Sequence, residues 1–96
     1  MAKDLIAKTQ KVGTTYTHIL DLSERVDGLN TSVSTAVWSV VSGTSVTVAG
    51  GTADAVSSRA TLTVVSTGKT HFRVTVTYAD SEVSVIDYLV TGFEIG

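Results

Sequence analysis

The chain has 96 residues, a net charge of −2 and neither proline nor cysteine; 43% of it is hydrophobic and 17% charged. That is the size of a single domain with one core, with no disulfide or thiolate metal site available to it, and the charge argues against nucleic acid as the main partner. No apolar run approaches the ~20 residues of a membrane span, and no apolar h-region marks a signal peptide, so neither membrane nor export is expected. Roughly a third of the residues are Val or Thr, the composition of a β-rich protein.

Residues 1–13 show no clean period. Lys3, Lys8 and Lys11 face one carboxylate there, Asp4, whereas the remainder carries eight carboxylates against four cations. A basic N-terminal arm, extended or partly disordered, is expected ahead of a β-domain over residues 14–96. Such an arm is either a solvated tail or a docking element for an acidic neighbour, another copy of this chain included.

Thr14 to Asp21 reads as the first strand, with both faces mixed as on a sheet edge or on a strand with a covered outer face. Ser23 then caps a single helical turn that Gly28 ends, and Leu22, Val26 and Leu29 at helical spacing cover one end of the core. In the next strand, Ser34 to Val41, residues Ala36, Trp38 and Val40 share a face. Trp38 offers the largest single apolar area and belongs in the core. A turn at Ser42-Gly43-Thr44 leads to a strand from Ser45 to Ala49, and Gly50-Gly51-Thr52 reads as a flexible connection.

The longest alternation runs from Val56 to Tyr78. Ala60, Leu62 and Val64 alternate with Arg59, Thr61 and Thr63, and after Gly68 the apolar set resumes as Phe72, Val74, Val76 and Tyr78. A period of two gives each set its own strand face, and Gly68 supplies the positive φ of a tight reversal, so the stretch is read as a hairpin. After a turn at residues 79–82, Val83 to Val90 forms a further strand. Val83, Val85 and Leu89 share one face with Asp87, while Ile86, Tyr88 and Val90 share the other; Phe93 and Ile95 continue apolar beyond it. Six or seven strands with turn signals every 8–12 residues predict an all-β, immunoglobulin-like sandwich with one short helical turn, a small barrel being the second choice.

Chemistry is sparse. His18 and His71 lie inside strand patterns, where a satisfied or exposed histidine is expected rather than a metal ligand. Asp21, Glu24 and Asp27 lack EF-hand spacing and read as a solvated acidic turn. Gly50-Gly51 lacks the spacing of a phosphate cradle, no G-x-S-x-G elbow occurs, and Asn30-Thr31-Ser32 matches a glycosylation sequon that has no accompanying export signal. No catalytic residue, cofactor or metal site is therefore expected, and the chain does not read as an enzyme. What stands out is the last strand, apolar on both faces although a two-layer sandwich covers only one. Ile86, Tyr88, Val90, Phe93 and Ile95, with Lys3, Lys8 and Lys11 of the arm, are the expected interface of a homo-oligomer or multi-copy assembly.

Three stretches resemble a family of small bacteriophage structural proteins. Gly50-Gly51-Thr52-Ala53, the alternating strand after it, Gly68-Lys69-Thr70 and the strand from Phe72 to Thr77 are similar to that family's Gly-rich hairpin. Ala36 to Val40 resembles its single-Trp strand. Tyr16, Asp21 and Ser23 fit its opening, where Leu22 and Val26 stand in place of the favoured tryptophan and leucine. The resemblance covers about residues 14–78. It implies a non-enzymatic immunoglobulin-like module of a virion, a fibre-to-tail or head-fibre adaptor or a capsid decoration protein, assembled in the host cytoplasm among other virion proteins. The alternative is an immunoglobulin-like adhesion module of a bacterial surface or secreted protein.

Overall fold

The computed structural model describes residues 5–23, 26 and 31–94. It contains seven strands: β1 Leu5–Lys11, β2 Thr15–Asp21, β3 Val33–Ser42, β4 Val46–Ala53, β5 Ser57–Val64, β6 Gly68–Tyr78 and β7 Val83–Phe93. They form two sheets, one of four strands in the order β1-β7-β6-β3 and one of three in the order β2-β5-β4. All pairings are antiparallel except β1 with β7, which run parallel from Leu5 beside Asp87 to Lys11 beside Phe93. This is the all-β immunoglobulin-like sandwich that the alternation predicts.

The core lies between the sheets. Leu20, Trp38, Val46, Leu62, Val64, Phe72, Val74, Val76, Tyr78, Ile86, Tyr88 and Val90 are among its buried side chains. Leu22 and Val26 close one end, and the Val26 N–H donates to the Leu22 carbonyl at 2.9 Å, an i→i+4 bond of a helical turn. The Asp21 carboxylate accepts the Ser23 N–H at 2.9 Å at the start of this turn. Glu24, Asp27, Gly28, Leu29 and Asn30 lie outside the described residues.

Three expectations are corrected. The stretch from Val56 to Tyr78 is not a hairpin: β5 and β6 belong to different sheets, and their apolar faces meet across the core. Hairpin and arch carry the same alternation, and the connection decides between them. Here the Val65 N–H donates to the Ser45 carbonyl at 2.8 Å, and the Ser45 hydroxyl donates to the Thr67 carbonyl at 2.9 Å, which ties the turn to β4 and directs the chain across the sandwich. Gly68 does have positive φ, at 131°. Secondly, residues 5–11 are no separate arm; they are β1, paired along their length with β7. Thirdly, Gly50 and Gly51 sit inside β4, at the shift of register between Ala49 and Thr52, and form a bulge rather than a free connection.

Gly92 is closely packed against backbone. A Cβ on it would lie 2.6 Å from the Ser66 carbonyl oxygen and 2.7 Å from Val64 Cγ1. Backbone cannot yield as a side chain can, so Gly92→Ala is expected to cost about 1–3 kcal/mol, as overpacking does. Denaturant titration checks this, and an unchanged midpoint would refute the close approach.

Candidate functional site

Two polar constellations interrupt the apolar layers. The first closes the sandwich at the β1–β2 edge. Gln10, on β1, turns inward and is buried; its Nε2 donates to the Leu62 carbonyl at 3.0 Å and the Thr14 carbonyl at 3.1 Å. Its Oε1 therefore accepts from His18 Nε2–H, at 2.7 Å, and His18 Nδ1 is left to accept the Tyr88 hydroxyl proton, also at 2.7 Å. The Tyr88 ring stands edge-on to His18, with centroids 5.6 Å apart, and to Trp38 at 5.0 Å. Trp38 Nε1–H donates to Ser58 Oγ at 2.8 Å. A chain of polar and aromatic contacts thus joins β1, β2, β7, β3 and β5.

Desolvation, and secondarily the charge of Lys8, hold the His18 pKa below its ordinary value of 6.5, and burial pushes the Tyr88 hydroxyl up to about 12. A protonated His18 would carry a proton on Nδ1 and could no longer accept from Tyr88. Because the folded pKa lies below the unfolded one, the unfolded chain binds more protons between the two values. Stability from this group is complete above pH 6.5 and is lost as the pH falls below it. The melting temperature is expected to fall on acidification through that window, with the slope flattened in His18→Gln; identical slopes would contradict the assignment.

The second constellation lies on the outer face of the four-stranded sheet. Asp87 Oδ1 accepts from His71 Nε2 at 2.9 Å and Arg73 Nε at 3.3 Å. The His71 hydrogen bond first, and the Arg73 bond and charge next, hold the Asp87 carboxyl below the usual carboxylate range. Around this polar centre exposed valines alternate with threonines. Val85 stands in the row of Thr75 and Val37, Val83 in that of Thr77 and Thr35, and Leu89 in that of His71 and Ala7. Val37, Val83 and Val85 expose 60%, 55% and 47% of their surface, against 8% for Val33 of β3 and 0% for Ile86 and Val90 of β7.

The expected interface is therefore partly misplaced. Ile86, Tyr88 and Val90 are core residues, buried against the opposite sheet. The alternation separates the two faces of β7 without saying which one turns inward; the register with Val74, Phe72 and Thr70 of β6 settles that. Phe93 is exposed, and with Tyr16, Thr17, His18, Thr9, Gln10 and Lys11 it lines an open cleft of about 360 Å³ at the β1–β2 edge. Lys8 and Lys11 are exposed on β1, while Lys3 and Ile95 lie outside the described residues. The outward set Val83, Val85 and Leu89 had a signal in the sequence, the ionisable Asp87 at the same parity. Among the described residues, no three His, Cys, Asp or Glu side chains gather as a metal site.

No protein-family model and no curated protein matches the chain. Solved structures do. The chain is similar to the PKD domain from KIAA 1837 protein, with a TM-score of 0.63 and 23% identity over 97% of this chain and 82% of that one. It is also similar to part of an endo-fucoidan hydrolase from glycoside hydrolase family 107, with a TM-score of 0.59 and 13% identity over 98% of this chain but only 13% of the enzyme. At these identities the likeness is one of fold, and the fold is an immunoglobulin-like sandwich.

Proposed function

We propose that the chain is a non-catalytic structural module of a bacteriophage particle, an adaptor or capsid decoration protein that works through protein–protein contacts in multiple copies. The observation that carries this reading is the exposed apolar face of a sandwich whose other apolar face is fully used by its core: Val37, Val83 and Val85 stand open around the Asp87 centre. Open apolar patches mark contact surfaces. The resemblance of residues 14–78 to phage structural proteins supplies the setting. Mass spectrometry of purified particles from the producing cells tests it. The chain is expected among the particle proteins at several copies per particle; its presence only in the unassembled or exported fraction would overturn the reading.

The second reading is an adhesion or accessory module within a longer surface or secreted protein. The observation favouring it is that a similar fold occupies 13% of the endo-fucoidan hydrolase, a module inside a larger chain. The exported fraction of the same experiment would contain it.

A further inference from the structure

From the outer face of the β1-β7-β6-β3 sheet we infer that two copies of this chain pair face to face across it, with their strands antiparallel. The inference rests on the assembly reading above and names the partner of that face. The first argument is charge. Asp80 and Glu82 sit exposed at the β6–β7 turn, at one end of the sheet, whereas Lys69 and Lys11 sit exposed at the other, with Glu94 the one carboxylate near them among the described residues. A face that is acidic at one end and basic at the other complements itself when a twofold axis lies in the interface perpendicular to the strands. That axis sets Lys69 of one copy beside the acidic turn of the other. A parallel arrangement would bring like ends together.

The second argument is the order of the rows. With the axis over the Asp87–Arg73 row, Val85 of one copy falls over Leu89 of the other, and Val83 over Thr91. On the axis Arg73 then faces Arg73 and Asp87 faces Asp87, and each guanidinium is already bonded to the Asp87 of its own copy, so that neither charge enters the interface without its partner. The third argument is area. Strands of 7, 11, 11 and 10 residues, at about 3.3 Å per residue and about 4.8 Å spacing, give a footprint of about 620 Å². That is close to the ~800 Å² per partner of an ordinary stable interface, and aligned sheets pack in this manner. An isologous contact of this kind closes at two copies.

Sedimentation velocity on the full chain over a range of concentrations tests the inference, with thermal unfolding as the control for folding. The wild-type chain is expected to show a monomer–dimer equilibrium. Val85→Glu is expected to weaken it by roughly a hundredfold or more, because the new carboxylate would be buried against Leu89, while leaving unchanged the melting temperature measured at concentrations where the wild-type chain is monomeric. Lys69→Glu and Glu82→Lys are each expected to weaken the dimer by about three- to fivefold at low salt, and the double exchange to restore it. A wild-type monomer at all concentrations, a dimer indifferent to Val85→Glu, or a double exchange no better than the singles would each overturn the inference. A monomeric chain that is nonetheless a particle component overturns the pairing and leaves the assembly reading intact; a dimer made by a chain absent from particles does the reverse.

Discussion

Trp38→Ala is expected to lower stability by about 3–5 kcal/mol, the cost of emptying a large aromatic site in a core. Trp38 is buried, with 8% of its surface exposed, and it holds the seam in two ways. Its ring meets the edge of Tyr88, and its indole N–H satisfies Ser58 Oγ, which itself donates to the Thr52 carbonyl at 3.1 Å. Alanine removes both and leaves a void between β3 and β5. For a domain of this size each kcal/mol shifts the midpoint by about 4–8 °C, so a drop of at least ~12 °C is expected. Trp38→Phe keeps most of the apolar area and loses the hydrogen bond; it should fall between wild type and alanine. Trp38 is also the chain's one tryptophan, so native emission should be blue-shifted and should move red on unfolding. A loss below ~1 kcal/mol, or native emission like free indole, would take Trp38 out of the core.

Tyr88→Ala is expected to be comparably severe, again about 3–5 kcal/mol for the ring. The change also leaves His18 Nδ1 without its donor. His18 is only half-buried, so water can replace part of that bond and the added penalty stays at the low end of ~1–3 kcal/mol. Tyr88→Phe isolates the hydroxyl and should cost about 1 kcal/mol. Five residues along the same strand, Phe93→Asp should stay within about 1 kcal/mol of wild type, because Phe93 lies open at the cleft. Denaturant titrations of the three variants decide the matter. Equal losses at Tyr88 and Phe93 would mean that β7 turns its faces differently from the register with β6.

Much of the fold was legible from period-two alternation, because a side chain's face is a local property of a strand. Leu62, Val64, Phe72, Val74, Val76 and Trp38 all turn inward as the alternation requires. What the alternation left open is non-local. It could not say whether β5 and β6 pair or arch, since that depends on Ser45, about twenty residues upstream, holding the turn. Nor could it place β1: only Gln10 is buried on that strand, its partner β7 lies at the far end of the chain, and Lys8 and Lys11, of opposite parity, break the period. The candidate contact face was legible as a pair of options. Val83, Val85 and Leu89 were separated from Ile86, Tyr88 and Val90, but the side facing solvent is fixed only by β6. The Gln10–His18–Tyr88 chain left no sequence signal, because its members are 8 and 70 residues apart.

Under the proposed function, the outer face of the β1-β7-β6-β3 sheet makes the contacts and the other surfaces are passive. Particle incorporation of two matched variants tests it most directly. Val85→Asp places a charge on that face, and Ile19→Asp places one on the outer face of the β2-β5-β4 sheet, where Ile19 is 59% exposed. Both chains should melt with wild type. The account predicts that particles assembled in cells producing Val85→Asp lack the protein, whereas Ile19→Asp enters at wild-type copy number. Equal incorporation of the two, or exclusion of Ile19→Asp alone, would contradict it.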